Sequence, residues 1–224
     1  MLLDQLRINN KYSYDDFEAS LKERTVSEPK KKTIKDTVAY SNKTYDFSAI
    51  NGEVYWEERV LEYIFEIIAD TPEELEEKKR KFLAWIMFIQ NEALYDPYIV
   101  GYHFNATYDS IKVDDSEIEK STITVTFTAY PYMIANTETL YTIAVDIGEE
   151  RTVTLINNSV HKIIPKITAT APAVIKKGDS SYSVSAGTFQ DESFEFEAGD
   201  NVLIITNSGT EKSTLTVTFN TEVM

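Results

Sequence analysis

Residues 54–89 read VYWEERVLEYIFEIIADTPEELEEKKRKFLAWIMFI, and a change of rhythm inside them decides the fold. From Val54 to Ala69 the residues are β-branched and aromatic and alternate in period two. One face carries Tyr55, Glu57, Arg59, Leu61, Tyr63, Phe65 and Ile67. The other carries Trp56, Val60, Ile64 and Ile68, broken by Glu58, Glu62 and Glu66. This pattern predicts a long strand, edge-like at its start and buried on both faces at its end. At Thr71 the period becomes 3.6. Thr71 is placed to cap a helix, Pro72 suits its first position, and Glu74 completes a capping box. Glu73, Glu74, Glu76 and Glu77 favour the positive end of the helix dipole, and the basic run Lys78–Lys81 follows at pairing distance. Leu75, Phe82, Ile86 and Ile89 form one apolar stripe, widened by Leu83 and Trp85. A single amphipathic helix over 72–90, packed on a sheet, is expected. Its aromatics read as core.

Upstream of this stretch, Ser13 and Asp16 suggest a short helix over Tyr14–Leu21, and Lys30-Lys31-Lys32 reads as a solvated loop. Thr44–Phe47 alternates as a strand, and Asn51-Gly52 signals a hairpin into the long strand. Downstream, Asp96-Pro97 is a turn, Ile99–Asp109 a strand, Asp114-Asp115 a hairpin tip, and Ile123–Thr128 a strand with its threonines on the wet face. Tyr130-Pro131-Tyr132 interrupts the ladder. Residues 1–135 therefore read as an α+β domain of sheets with one helix. Residues 136–224 contain five of the seven glycines, and the last four, Gly178, Gly187, Gly199 and Gly209, punctuate short alternating runs at near-regular intervals. That rhythm, with no helical pattern after residue 138, predicts an antiparallel β-sandwich. The fold class is mainly β.

Composition removes several function classes. The 224 residues include no cysteine, which excludes disulfides, thiolate metal sites and thiol nucleophiles. His103 and His161 stand in no metal-ligand motif, and the glycines form no phosphate loop. No nucleophile elbow is present. Asp114-Asp115-Ser116-Glu117 lacks the spacing of a calcium loop. No catalytic residue, metal site or cofactor is assigned. Asp4 and Arg7 interrupt any apolar leader at Met1-Leu2-Leu3, no segment is long and apolar enough to span a membrane, and the three glycosylation sequons read as chance. The net charge of −15 is shared: −9 up to Tyr132 and −6 beyond. Neither part is charged like a nucleic-acid binder, although an acidic wall would let DNA slide past without sticking.

The order of these elements resembles the distal tail (Dit) proteins of long-tailed phages and prophages. Thr44-Tyr45-Asp46-Phe47 is similar to the family's Tyr-Asp segment. Tyr55–Phe65, with Arg59 and Leu61, resembles its long strand. The Pro72–Ile89 helix resembles its single helix, and Tyr98–Tyr108 a further strand. Phe127–Tyr132 looks like its closing Pro-containing element, and Glu197-Ala198-Gly199-Asp200-Asn201 resembles a turn of its galectin-like C-terminal sandwich. Asn42-Lys43 stands where the family often has glycine.

The resemblance implies a non-catalytic protein of the virion tail tip, made in the host cytoplasm. Its first domain would build a homo-hexameric ring between the tail tube and the tip. The ring would admit DNA and carry a formal charge of about −90. The implied partners are the tail tube protein, tail-associated lysin and receptor-binding proteins, with the second domain facing outward. Such a ring needs a heterologous, closing interface, for which Tyr55 and Trp56 are candidates. Alternatives are a carbohydrate-binding attachment module, using Tyr182 and Phe189 to stack on sugars, another tail component such as a tail tube protein, and a glycosidase.

Overall fold

The computed structural model describes residues 4–37, 39–40, 42–49, 52 and 54–224. Its contacts divide the chain into two compact units, Met1–Met133 and Ile134–Val223. The first contains β1 (Arg7–Ile8), β2 (Lys11–Tyr12), β3 (Ala19–Val26), β4 (Lys35–Thr37), β5 (Thr44–Asp46), β6 (Arg59–Ile68), α1 (Pro72–Ile86), β7 (Glu92–Tyr95), β8 (Tyr102–Asp114) and β9 (Lys120–Ala129). A short β10 (Met133–Ala135) stands at the division.

The main sheet has the order β2-β1-β7-β8-β9-β6-β3, antiparallel throughout. β6 lies between β3 and β9, with Leu61 opposite Phe127, Tyr63 opposite Val125 and Phe65 opposite Ile123. These six side chains are fully buried and make the apolar face of the sheet. α1 covers that face. Thr71 Oγ1 accepts the Glu74 amide, and the Glu74 carboxylate accepts from the Asp70 amide, which fixes the start of the helix. Leu75, Phe82 and Ile86 are its buried stripe, and the Phe82 ring meets Phe65 edge-on at 5.0 Å. Phe17 stacks on Trp85 with ring centroids 4.6 Å apart. A buried polar network ties β3 and β6 to the turn after β7: Asp96 accepts hydrogen bonds from Arg24 Nη1 and from the Tyr63 hydroxyl.

Several expectations are corrected. Residues 14–21 are not helical. Ser13–Phe17 form a turn, Glu18 takes a positive φ, and the chain enters β3 at Ala19. Pairing Ala19 with Ile67 and Leu21 with Phe65 buries more than an isolated two-turn helix could. The long strand starts at Arg59, not Val54, because residues 54–58 find no sheet neighbour beyond one bridge from Trp56 to Lys31. Its end is not buried on both faces: Ile67 is enclosed but Ile68 is 57% exposed. Asn51 lies outside the described residues. Thr44–Asp46 pairs with Lys35–Thr37, so the observed ribbon is not the hairpin expected across Asn51-Gly52. α1 ends at Ile86, capped by the Met87 amide on Leu83 O, and Asn91 turns the chain into β7 with φ 52°. The strand expected over 99–109 is β8, shifted to 102–114.

The second unit comprises β11 (Thr139–Val145), β12 (Glu150–Asn157), β13 (Lys166–Ala169), β14 (Ala173–Lys177), β15 (Ser180–Val184), β16 (Gly187–Phe189), β17 (Gly199–Asn207), β18 (Ser213–Phe219) and β19 (Glu222–Val223). It is an antiparallel sandwich of two four-stranded sheets, β11-β18-β13-β16 and β12-β17-β14-β15. Ile167, Val217, Leu215, Ile175, Leu203 and Ile205 alternate inward from both sheets around Phe194 and Phe196. Asn157, Asn201 and Asn207 are buried, and each ties down a loop through amide donors on backbone carbonyls.

Candidate assembly surface

β3 and β6 are neighbours in the sheet, yet the whole stretch 27–58 is spent connecting them. A connection of that length is well beyond an ordinary hairpin loop. Its root is anchored by Ser27. The Ser27 amide and hydroxyl both donate to Val60 O, and the Val60 amide donates back to Ser27 Oγ. Beyond the root one further bridge joins the two sides, Lys31 to Trp56, with Lys32 N donating to Tyr55 O and Glu57 N to Lys30 O. β4 and β5 then pair away from the main sheet. Ile34 and Phe47 close this section: the Phe47 amide donates to Ile34 O, and the Ile34 amide to Ser48 Oγ. Every residue of β4 and β5 is exposed. The described residues of this segment form an exposed arm outside the main sheet.

The arm is apolar as well as exposed. Ile34, Tyr45, Phe47, Val54 and Tyr55 are each between 41% and 52% exposed, and the Tyr45 and Phe47 rings stack at 6.4 Å. A two-stranded ribbon with no layer against it is marginally stable in water. Residues 30–47 also hold five lysines and two aspartates, a local +3 in a chain of −15. Asp46 is held below the usual carboxylate range by hydrogen bonds from Ser48, with help from the charges of Lys35 and Lys31.

Of the residues singled out in the sequence, Tyr55 and Trp56 stand at the base of this arm, Tyr55 half-exposed and Trp56 partly covered. The sequence signal missed the rest of the arm, because nothing in Thr33–Phe47 tells a paired strand from a projecting one. Tyr182 and Phe189 do come together, but around Phe194: the Tyr182 and Phe194 rings meet edge-on at 4.8 Å, and those of Phe189 and Phe194 at 6.0 Å. The Tyr182 hydroxyl donates to Ser193 O. Both rings pack against the sandwich core rather than standing free as a platform. His103 lies against Tyr95, and His161 Nε2 is 2.8 Å from Glu222 Oε2. Among the described residues no group of three or more His, Asp or Glu is arranged to hold a metal ion, and no helix is long and apolar enough to cross a membrane.

No family model matches the sequence, and no curated protein matches it significantly. Solved structures do. The Dit protein of phage SPP1, described as a paradigm of the hub adsorption apparatus in phages infecting Gram-positive bacteria, aligns with a TM-score of 0.68 at 13% identity. The alignment covers 96% of this chain and 98% of that one. A chain of the phage P2 baseplate in its activated, calcium-containing conformation gives 0.45 at 10% identity, covering 97% and 98%. A de novo designed double-stranded β-helix gives 0.28 at 18% identity, covering 38% and 97%. The resemblance read in the sequence holds at the level of the fold: the chain has the mainly β, Dit-type fold along nearly its whole length.

Proposed function

We propose that this protein is a structural component of a phage or prophage tail tip. Its first unit would close into a hexameric ring joining the tail tube to the tip or baseplate. The observation that carries this reading is the end-to-end likeness to the SPP1 Dit hub protein, in which both units are matched. The exposed arm supports it, since a ring subunit needs a surface that fits a different surface on its neighbour. Residues 1–135 carry the assembly role. Residues 136–224 face outward and hold tip components, receptor-binding proteins and tail-associated lysin. DNA passes through the ring without specific binding, as suits an acidic chain. The protein is made in the host cytoplasm and works in the virion.

Light scattering and negative-stain imaging test the reading, with and without the tail tube protein. Rings of six copies of the 25.6 kDa chain are expected. A monomer that ignores tube and tip partners at every concentration refutes it. A glycan-binding role for the second unit has weaker support, because Tyr182 and Phe189 are engaged with Phe194.

A further inference from the structure

We propose that Arg59 binds a small carboxylate at the start of β6, beside the root of the exposed arm. The inference does not depend on how many copies assemble. Arg59 is 2% exposed, and its Nε and Nη2 have no hydrogen-bond partner among the described residues. These are not scattered donors. In a guanidinium, the Nε–H and one Nη2–H lie parallel on a single edge, the edge that takes both oxygens of one anion. That whole edge lacks an acceptor. The neighbours show why. Arg59 stands opposite Ala129 on β9, and Ala129 stands opposite Ala106 on β8. Both alanines are buried, and neither side chain can accept a hydrogen bond. The Phe104 ring lies under the guanidinium, its centre 5.3 Å away. A contact through the face leaves the edge available.

Shape and charge select the ligand. Two parallel N–H groups match the two oxygens of a carboxylate, whereas a halide offers a single centre. Glu28 is exposed at the root of the arm. Its negative charge acts on Arg59 through space, but it bonds neither Nε nor Nη2. A fixed carboxylate at that position repels a second anion, and repels a dianion twice as strongly. Singly charged carboxylates are therefore favoured over phosphate. The enclosure of Arg59 sets the size: a molecule such as formate can enter through a local opening, while a carboxylate standing on a partner's surface cannot reach a side chain this deeply covered. A buried cation with an unmade edge is a departure from the usual satisfaction of buried donors, and such departures concentrate where a site is used.

Urea unfolding of the full chain tests this, in sodium formate against sodium chloride at equal ionic strength. The fluorescence of Trp56 and Trp85 reports the first unit. In chloride the edge stays unmade. At formate about ten times its dissociation constant, the folded-to-unfolded ratio of the parent should rise about 11-fold over chloride. Arg59→Met should show no such difference, which separates binding from general salt effects. Arg59→Lys keeps the charge without the paired edge and should lose the response too. Phosphate should act more weakly than formate. A parent that does not distinguish formate from chloride overturns the proposal, as does a Lys variant that responds like the parent. Phosphate acting as strongly as formate overturns the choice of carboxylate.

Hydrogen exchange on the parent needs no variant. The Val60 amide donates to Ser27 Oγ and the Ser27 amide to Val60 O, one residue from Arg59. Openings that break the site become rarer when it is filled, so both amides should exchange about tenfold more slowly under the same formate conditions. Equal exchange at Ser27 and Val60 in the two salts also overturns the proposal.

Discussion

Arg59→Met should make the first unit more stable. Arg59 opens β6 and is 2% exposed, with Nε and Nη2 lacking hydrogen-bond partners among the described residues. Its guanidinium lies 5.3 Å from the centre of the Phe104 ring. Burial lowers its pKa, and the negative charge of Glu28 opposes that only in part. Each buried donor left unmade costs about 1–3 kcal/mol. The cation–π contact returns about 0.5–2 kcal/mol. Methionine keeps the apolar stem against Phe104 and removes the unmet donors, so the expected gain is about 1–3 kcal/mol, in line with other replacements of buried charge by apolar residues. For a chain of this size that corresponds to roughly 2–4 °C in Tm per kcal/mol. Urea unfolding followed by tryptophan fluorescence reads the effect cleanly, because both tryptophans, Trp56 and Trp85, lie in the first unit. A lower midpoint for the Met variant, at unchanged slope, refutes the reasoning: Arg59 would then have an anion in solution that repays its burial.

Three further outcomes follow from the same structure. Phe82→Ala empties the space between α1 and Phe65 and should cost about 3–5 kcal/mol in the same urea assay, and a loss below about 1 kcal/mol would mean the helix does not seal the sheet. Thr71→Ala removes the cap on the Glu74 amide and should cost about 1 kcal/mol, with Thr71→Asn largely restoring it. Burial and the neighbouring Asp96 raise the pKa of the Tyr63 hydroxyl well above 10.0, so the folded state holds that proton more tightly than the unfolded chain does. Its stability contribution is complete below the unfolded-chain value and is lost as pH rises through the folded one. Tyr63→Phe should flatten the alkaline limb of the stability–pH curve, and an unchanged limb would contradict the assignment.

The sequence and the structure agree where a pattern is long enough to carry its own evidence. The odd residues of β6, the apolar stripe of α1 and the threonine alternation of β9 each repeat over several turns or pleats and appear as expected, while at the start of α1 Thr71 caps the Glu74 amide and the Glu74 carboxylate takes the Asp70 amide instead of closing the box on Thr71. Short strands do not repeat. β1, β2 and β7 are too brief to show a period: β1 and β7 depend on each other across the chain, with Arg7 on Tyr95, and β2 exists only as the local return of β1, with Arg7 on Tyr12. The helix expected at Tyr14–Leu21 failed for a related reason. Its cap and composition were local signals, whereas Ala19 and Leu21 are decided by Ile67 and Phe65, far along the chain. The stripe of α1 continues through Ile89, yet the helix stops at Ile86, because the turn that returns the chain to β7 needs those residues. For the assembly surface, Tyr55 and Trp56 mark only its base. Alternating, β-prone residues such as Tyr45 and Phe47 read the same whether the strand is enclosed or projecting, so exposure became visible only in three dimensions.

The proposed tail-tip ring is a closed assembly built from one kind of chain. Native mass spectrometry across a concentration series, with the tail tube protein added in a parallel series, measures it most directly. Monomer should give way to a single dominant species with six times the mass of the 25.6 kDa chain, with no larger series beyond it. Monomer alone in both series, or an open ladder that keeps lengthening with concentration, would contradict it.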